Sequence, residues 1–257
     1  MKKEFNYKEY IDIVNNLSKK RVIVNYHDVP KHKKFILLRH DVEYSMKRSL
    51  DMAILENKNS IKSTYFFQIR NNTYNVLSEE NTEICKNIIS LGHEVGLHVH
   101  LGSLKYKNTL EEKDVKEIIK KDIDILSRNL DYNVRVFSYH RPTKKILTFN
   151  KNYDGYINAY NSKFFKLCDN LEEIKNEDVK YIADSNHKWK YGHPLSENIL
   201  KYDKIHMLTH PFSWTEKGYK NYHNFLSLAN EKVEEMIESM SNEISNFPNE
   251  IIERYTQ

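Results

Sequence analysis

The run Phe35-Ile36-Leu37-Leu38 contains no polar residue, and it stops on Arg39-His40-Asp41-Val42-Glu43. An uninterrupted apolar run of strand length has both faces covered, the condition of a parallel strand inside an α/β fold. Ser45 follows closely and is placed to cap a helix behind that strand. Alternation puts Asp41 and Glu43 on one side of the strand end, about 6.5–7 Å apart along the backbone. Two carboxylates at the carboxyl end of a buried parallel strand stand where α/β enzymes keep their chemistry. The competing reading is a pair of charges that face water. It is weighed against what the other strand ends carry.

The same pattern returns down the chain. Tyr10, Ile11, Val14 and Leu17 form the inner face of a first helix from Tyr7 to Leu17, and the polar segment from Arg21 to Lys34 reads as loop. After the strand Phe35 to His40, a helix is expected from Ser45 to Asn57, then a strand over Ser63-Thr64-Tyr65-Phe66-Phe67. A helix from Ser78 to Leu91 carries Glu79-Glu80 in its first turn and Gly92 just past its end. His93 to His98 reads as the next strand, Leu110 to Leu130 as a long amphipathic helix, and Val134 to Ser138 as the strand after it. Shorter strands follow at Tyr156 to Tyr160 and Tyr181 to Asp184, and a last one runs from Lys204 to Thr209. A charged amphipathic helix from Tyr222 to Ile252 closes the chain.

Strands alternating with helices imply a parallel sheet with helices outside, and about seven such units point to a (β/α) barrel, complete or incomplete. No repeat, linker or low-complexity break divides the 257 residues, so one domain is expected. A net charge of +4 over 40 basic and 36 acidic residues, with the lysines scattered, gives no nucleic-acid track. Lone Cys85 and Cys168 belong to no CxxC pattern and suggest reduced thiols. No apolar h-region or membrane-length run is present, so a cytoplasmic protein without membrane insertion is expected. Nothing in the sequence sets the oligomeric state.

Five predicted strands end in chemically capable residues: Asp41 and Glu43, His98 and His100, His140 and Arg141, Asp184, and His210. In a barrel all of these ends lie on one rim, where active sites are built. A single histidine at a strand end is more often structural; five strands ending this way make coincidence a poor account. Two imidazoles and a carboxylate with open positions form a catalytic zinc pattern. Asp41 and Glu43 offer a base and a ligand, His210 an acid, and Arg141 a charge to keep the base ionised. Metal-assisted hydrolysis of an acyl group needs these parts.

The motifs Asp41-Val42-Glu43, Gly92-His93-Glu94-Val95-Gly96-Leu97-His98, Arg141-Pro142 and Leu208-Thr209-His210 resemble, in order and spacing, those of the polysaccharide deacetylase (NodB-homology) family of carbohydrate esterases. The resemblance runs from Phe35 to Trp214, and Arg39-His40-Asp41 with Tyr139-His140-Arg141-Pro142 is similar to a branch found among bacterial surface-polysaccharide gene products. It implies a deformed (β/α) barrel and hydrolysis of an N-acyl group, usually N-acetyl, on an amino sugar. By the resemblance Asp41 is the base, Glu43 and His98 are metal ligands, and Arg141 orients the base. Asp184 and Trp189 support the acid, His210.

The sequence departs from the family at three points. Glu43 stands where the family has Asp, Gly102 stands at the family's second histidine, and no export signal is present. The second histidine ligand is then His100 or His140, with His100 the assignment made from the sequence. One divalent ion, zinc by its ligand set, is expected. Tyr139, Trp189, Trp214 and His140 are placed near the sugar. The substrate is expected to be a small-molecule or carrier-linked amino sugar, nucleotide- or lipid-linked. The alternatives are an inactive relative that binds a glycan or a partner enzyme, and a hydrolase of another C–N bond.

Overall fold

The computed structural model describes residues 5–166 and 178–255. Helix α1 (Tyr7–Ser18) leads into a short strand β1 (Val22–Val24), then β2 (Phe35–Asp41) and α2 (Met46–Lys58). The units β3 (Thr64–Phe67) with α3 (Glu79–Ser90), and β4 (Glu94–Val99) with α4 (Leu104–Lys107) and α5 (Glu112–Leu130), come next. They are followed by β5 (Val136–Tyr139), α6 (Lys144–Thr148), β6 (Ile157–Asn158), β7 (Val179–Ala183), α7 (Glu197–Leu200) and β8 (Lys204–Thr209). The chain continues through α8 (Asn221–Glu243) and α9 (Asn249–Tyr255).

The strands form one parallel sheet in the order β6-β5-β4-β3-β2-β8-β7. Among the described residues β6 and β7 do not pair, so the sheet curls without closing: an incomplete (β/α) barrel, as expected. The family of helices outside covers two apolar clusters. One, around Phe67, Leu97, Ile119 and Leu126, lies under α3 and α5. The other, around Ile13, Leu38, Met52 and Trp214, lies under α1 and α2. A third fills the concave side below the active rim, where Leu37, Phe66 and Val136 meet.

Gly96 marks how tightly that interior is filled. A Cβ on it would sit 2.6 Å from the Phe66 ring and 2.7 Å from Val136, so only glycine lets β3, β4 and β5 close around one core. Ser45 caps α2 as expected, its Oγ accepting from the Arg48 amide at 3.0 Å.

Three elements differ from expectation. The segment Arg21 to Lys34 is not all loop: Val22, Ile23 and Val24 pair with Phe35, Ile36 and Leu37, covering the lower half of the β2 edge whose upper half β3 takes. The closing helix is two helices, because α8 ends at Glu243 and Pro248 precedes α9. Tyr156 to Tyr160 contributes only the two strand residues of β6. Cys85 is free and buried, while Cys168 lies outside the described residues.

Candidate active site and metal centre

Register decides which side chains meet. Along β2, Leu37, Arg39 and Asp41 point to the concave side, and His40 points outward to the helices. The pairing of β4 with β5 sets His98 opposite Ser138, so the next inward residue on β5, His140, arrives directly above and beside His98. The His140 amide extends the ladder by donating to the Val99 carbonyl at 2.9 Å.

Glu43, His98 and His140 each present one donor atom, and all three donor atoms lie within 4.8 Å of one another. Glu43 Oε1 is 3.1 Å from His140 Nδ1, and His140 Nδ1 is 3.2 Å from His98 Nε2. The Ser138 hydroxyl, 2.8 Å from His98 Nδ1, fixes that ring with Nε2 facing the cluster. Burial pushes His98 well below the ordinary imidazole range, and the charges of His140 and Arg39 push the same way, so it is the neutral ligand form. Burial raises Glu43, but His140 and His210 outweigh it and hold the carboxylate ionised. A carboxylate and two imidazoles with an open side are the donor set of a catalytic zinc or similar divalent site, so the residues fit the expected ion.

His100 is not part of that cluster. The strand ends at Val99, and the chain turns through Gly102, which has φ +84°. The His100 ring therefore stacks on His140 with centroids 5.2 Å apart, and its Nδ1 accepts from the Gly102 amide at 3.3 Å. His140, placed among the substrate residues from the sequence, takes the position assigned to His100.

Asp41 is also held differently from expectation. Arg39 donates from Nε to Oδ1 and from Nη2 to Oδ2, both at 2.8 Å, with its guanidinium fully buried against the Phe66 and Tyr160 rings. A bidentate fork of this kind is the strongest ordinary hold on a carboxylate. Arg141, assigned that contact from the sequence, is exposed on the cleft wall. Asp41 Oδ2 stands 3.5 Å from His98 Nε2, against the metal-ligand cluster.

On the other side is His210. Its Nδ1 is 2.6 Å from Asp184 Oδ1, and its backbone amide donates to both Asp184 oxygens at 3.0 Å. Its Nε2 lies 4.0 Å from Glu43 Oε1. Burial alone would lower His210, but the buried Asp184 carboxylate overrides it and raises the imidazole to about 9. Trp214 completes this group: its indole Nε1 donates to Asp184 Oδ2 at 2.7 Å. Fully buried, Trp214 stands behind Asp184 and is not among the residues lining the cleft. Trp189, given that supporting place from the sequence, packs on Phe5 and Trp214 and is not among the residues lining the cleft.

These groups line a cleft of about 580 Å³, large enough for a sugar unit. Tyr139 borders it, but its side chain is buried and its hydroxyl donates to the Phe149 carbonyl at 2.8 Å. The aromatics on the cleft that are not fully buried are Tyr44, Phe165, Tyr181 and Tyr191. His40 and His93, which both belong to the quoted motifs, lie outside the site. They face Glu56 under the helices, His40 Nε2 at 3.0 Å and His93 Nδ1 at 3.6 Å.

The fold and the site together define an incomplete barrel with a divalent-metal donor set between Asp41 and His210. No family model matches the sequence, and no curated protein matches it. Among solved structures, the chain is similar to a family 4 carbohydrate esterase pseudoenzyme from Bacillus anthracis, with 14% identity over 78% of this chain and a TM-score of 0.44. It is similar to the chitin deacetylase of the fungal pathogen Colletotrichum lindemuthianum, with 15% identity, 77% of this chain and 81% of that one covered, and a TM-score of 0.44. A family 4 carbohydrate esterase from Bacillus anthracis gives 14% identity, 88% and 86% coverage, and a TM-score of 0.42. The chain spans 62% of the length of the pseudoenzyme.

Proposed function

We propose that this chain is a divalent-metal-dependent amide hydrolase that removes an N-acyl group, most simply N-acetyl, from an amino sugar. The observation that carries the reading is the convergence of Glu43, His98 and His140 between Asp41 and His210, two groups each held by its own buried partner. Zinc is the ion its ligand set favours, and when bound it would polarise the amide carbonyl and acidify water.

The remaining chemistry belongs to the chain. Arg39 occupies one lone-pair direction on each Asp41 oxygen and holds the carboxylate aimed at the cluster, so Asp41 takes the proton from the attacking water. Asp184 accepts from His210 Nδ1, which leaves the Nε2 proton facing the cleft for delivery to the departing amine. Each step is worth about 10²–10⁴ in rate. Half-buried Tyr44 and exposed Tyr191 line the cleft where a sugar ring would pack. The proposal includes the cytoplasmic setting expected from the sequence.

The test is acetate release from N-acetyl amino sugars by the purified protein, before and after chelation and with metal restored. Turnover that chelator abolishes and metal restores supports the reading. Stoichiometric metal without turnover on any acylated sugar would replace it with the inactive-binder reading.

A further inference from the structure

The acids of the cleft are already partnered, and the cations are not. Asp41 is paired with Arg39, Asp184 is held by His210 and Trp214, and Glu43 faces His140. Two further charged side chains line the same cleft, Arg141 and Lys190, both exposed. Among the described residues no carboxylate lies within ion-pair distance of either. They come from different walls. Arg141 follows β5, and Lys190 follows β7, where its backbone is bridged to Ala183 next to Asp184. The sheet order places β5 and β7 on opposite sides of β2, so the two cations flank the acid–base pair.

Arg141 is not a casual surface residue. Its φ of +46° is a left-handed conformation that a side chain with a Cβ avoids, and such strain persists only where the surroundings fix it. Lys107 does the fixing. Its ammonium is buried and donates to the His140 carbonyl at 2.7 Å and to the Arg141 carbonyl at 3.1 Å. One buried lysine therefore pins the turn that sends His140 inward and Arg141 onto the cleft wall. The contact that sets His140 therefore also fixes where Arg141 stands, so its guanidinium is presented to the cleft from a defined position.

We propose that Arg141 anchors a phosphate on the substrate, with Lys190 as a second contact, so that the cleft takes an N-acyl amino sugar joined to a phosphate or pyrophosphate. This rests on the amide-hydrolase reading for the sugar but not for the anion. Arginine suits the role because its planar fork meets two phosphate oxygens at once. A nucleotide-linked and a lipid-pyrophosphate-linked sugar share this chemistry, and Lys107 is the positioning residue for the anchor.

Calorimetric titration of the metal-loaded protein with UDP reads the anchor without any turnover. Wild type should bind, Arg141→Gln should weaken Kd at least tenfold, Arg141→Lys should recover part of the loss, and Lys120→Gln on the outer helix should match wild type. Lys107→Met should also weaken UDP binding and lower metal retention through His140. Equal Kd in wild type and Arg141→Gln, or no binding by wild type, would overturn the proposal whatever the hydrolase assay gives. Comparing kcat/KM for N-acetylglucosamine, its UDP conjugate and a short prenyl-pyrophosphate conjugate then separates the sources: preference for both conjugates reads pyrophosphate alone, and preference for one names the carrier. A neutral sugar turned over as well as both conjugates would contradict the anchor while leaving the hydrolase reading standing.

Discussion

Arg39 and Asp41 stand two residues apart on one strand and grip each other through both carboxylate oxygens, deep in the barrel. A strand's period of two puts them on one face, so the residue that holds Asp41 is built into the same strand. The pair needs no loop to be in place, and the cleft wall is left free for other work.

Breaking one half of that pair should be costly. Arg39→Met leaves a buried carboxylate uncompensated, which costs about 3–5 kcal/mol. Urea unfolding should show that loss, and Arg39→Met combined with Asp41→Asn should be more stable than Arg39→Met alone. Asp41→Asn by itself should retain metal while kcat falls by about 10²–10⁴. An Arg39→Met protein as stable as wild type would remove the ion pair from this account.

His210 has its own test. Asp184→Asn removes the negative charge that raises His210 and leaves one accepting oxygen where two served His210 and Trp214, so kcat should fall by about 10²–10⁴ with little change in KM. Trp214→Phe removes one donor from a buried carboxylate and should cost about 1–3 kcal/mol of stability, with a smaller fall in kcat than Asp184→Asn. Steady-state kinetics on the two variants checks the order. A KM effect alone would make His210 a binding residue.

Much of this was legible in sequence because it is local. An apolar run that stops on charge marks a buried strand and its rim, and that reading holds for β2, β4, β5 and β8. What failed depends on neighbours distant in the chain. Choosing His140 over His100 requires the β4–β5 register, and exchanging Trp214 for Trp189 requires knowing where the chain after His210 packs. The Arg39–Asp41 pair is different: same-face alternation was visible in the sequence and the longer-range Arg141 was preferred to it. β1 escaped because three residues carry too little pattern to separate a strand from a loop.

Glu56 gives a pH prediction away from the site. It is fully buried on α2 and accepts hydrogen bonds from Tyr10, Ser63 and Tyr65, with His40 beside it. Burial would raise its pKa, but the charge and hydrogen bond of His40 outweigh that and hold it at about 2, against an ordinary 4.5. A depressed folded pKa stabilises fully above the unfolded value and is lost as pH falls toward the folded one. Glu56→Gln should therefore be destabilised by about 3–5 kcal/mol near neutrality, and its deficit should shrink as pH drops from 4.5 to 2. Unfolding free energies measured across that range check the slope, and a deficit independent of pH would contradict it.

The central claim is that Glu43, His98 and His140 hold one divalent ion. Bound zinc, measured by elemental analysis on His140→Ala and His100→Ala purified alongside wild type, tests it most directly. The account predicts about one ion per chain in wild type and in His100→Ala, and loss of the ion in His140→Ala. Metal retained in His140→Ala and lost in His100→Ala would contradict it.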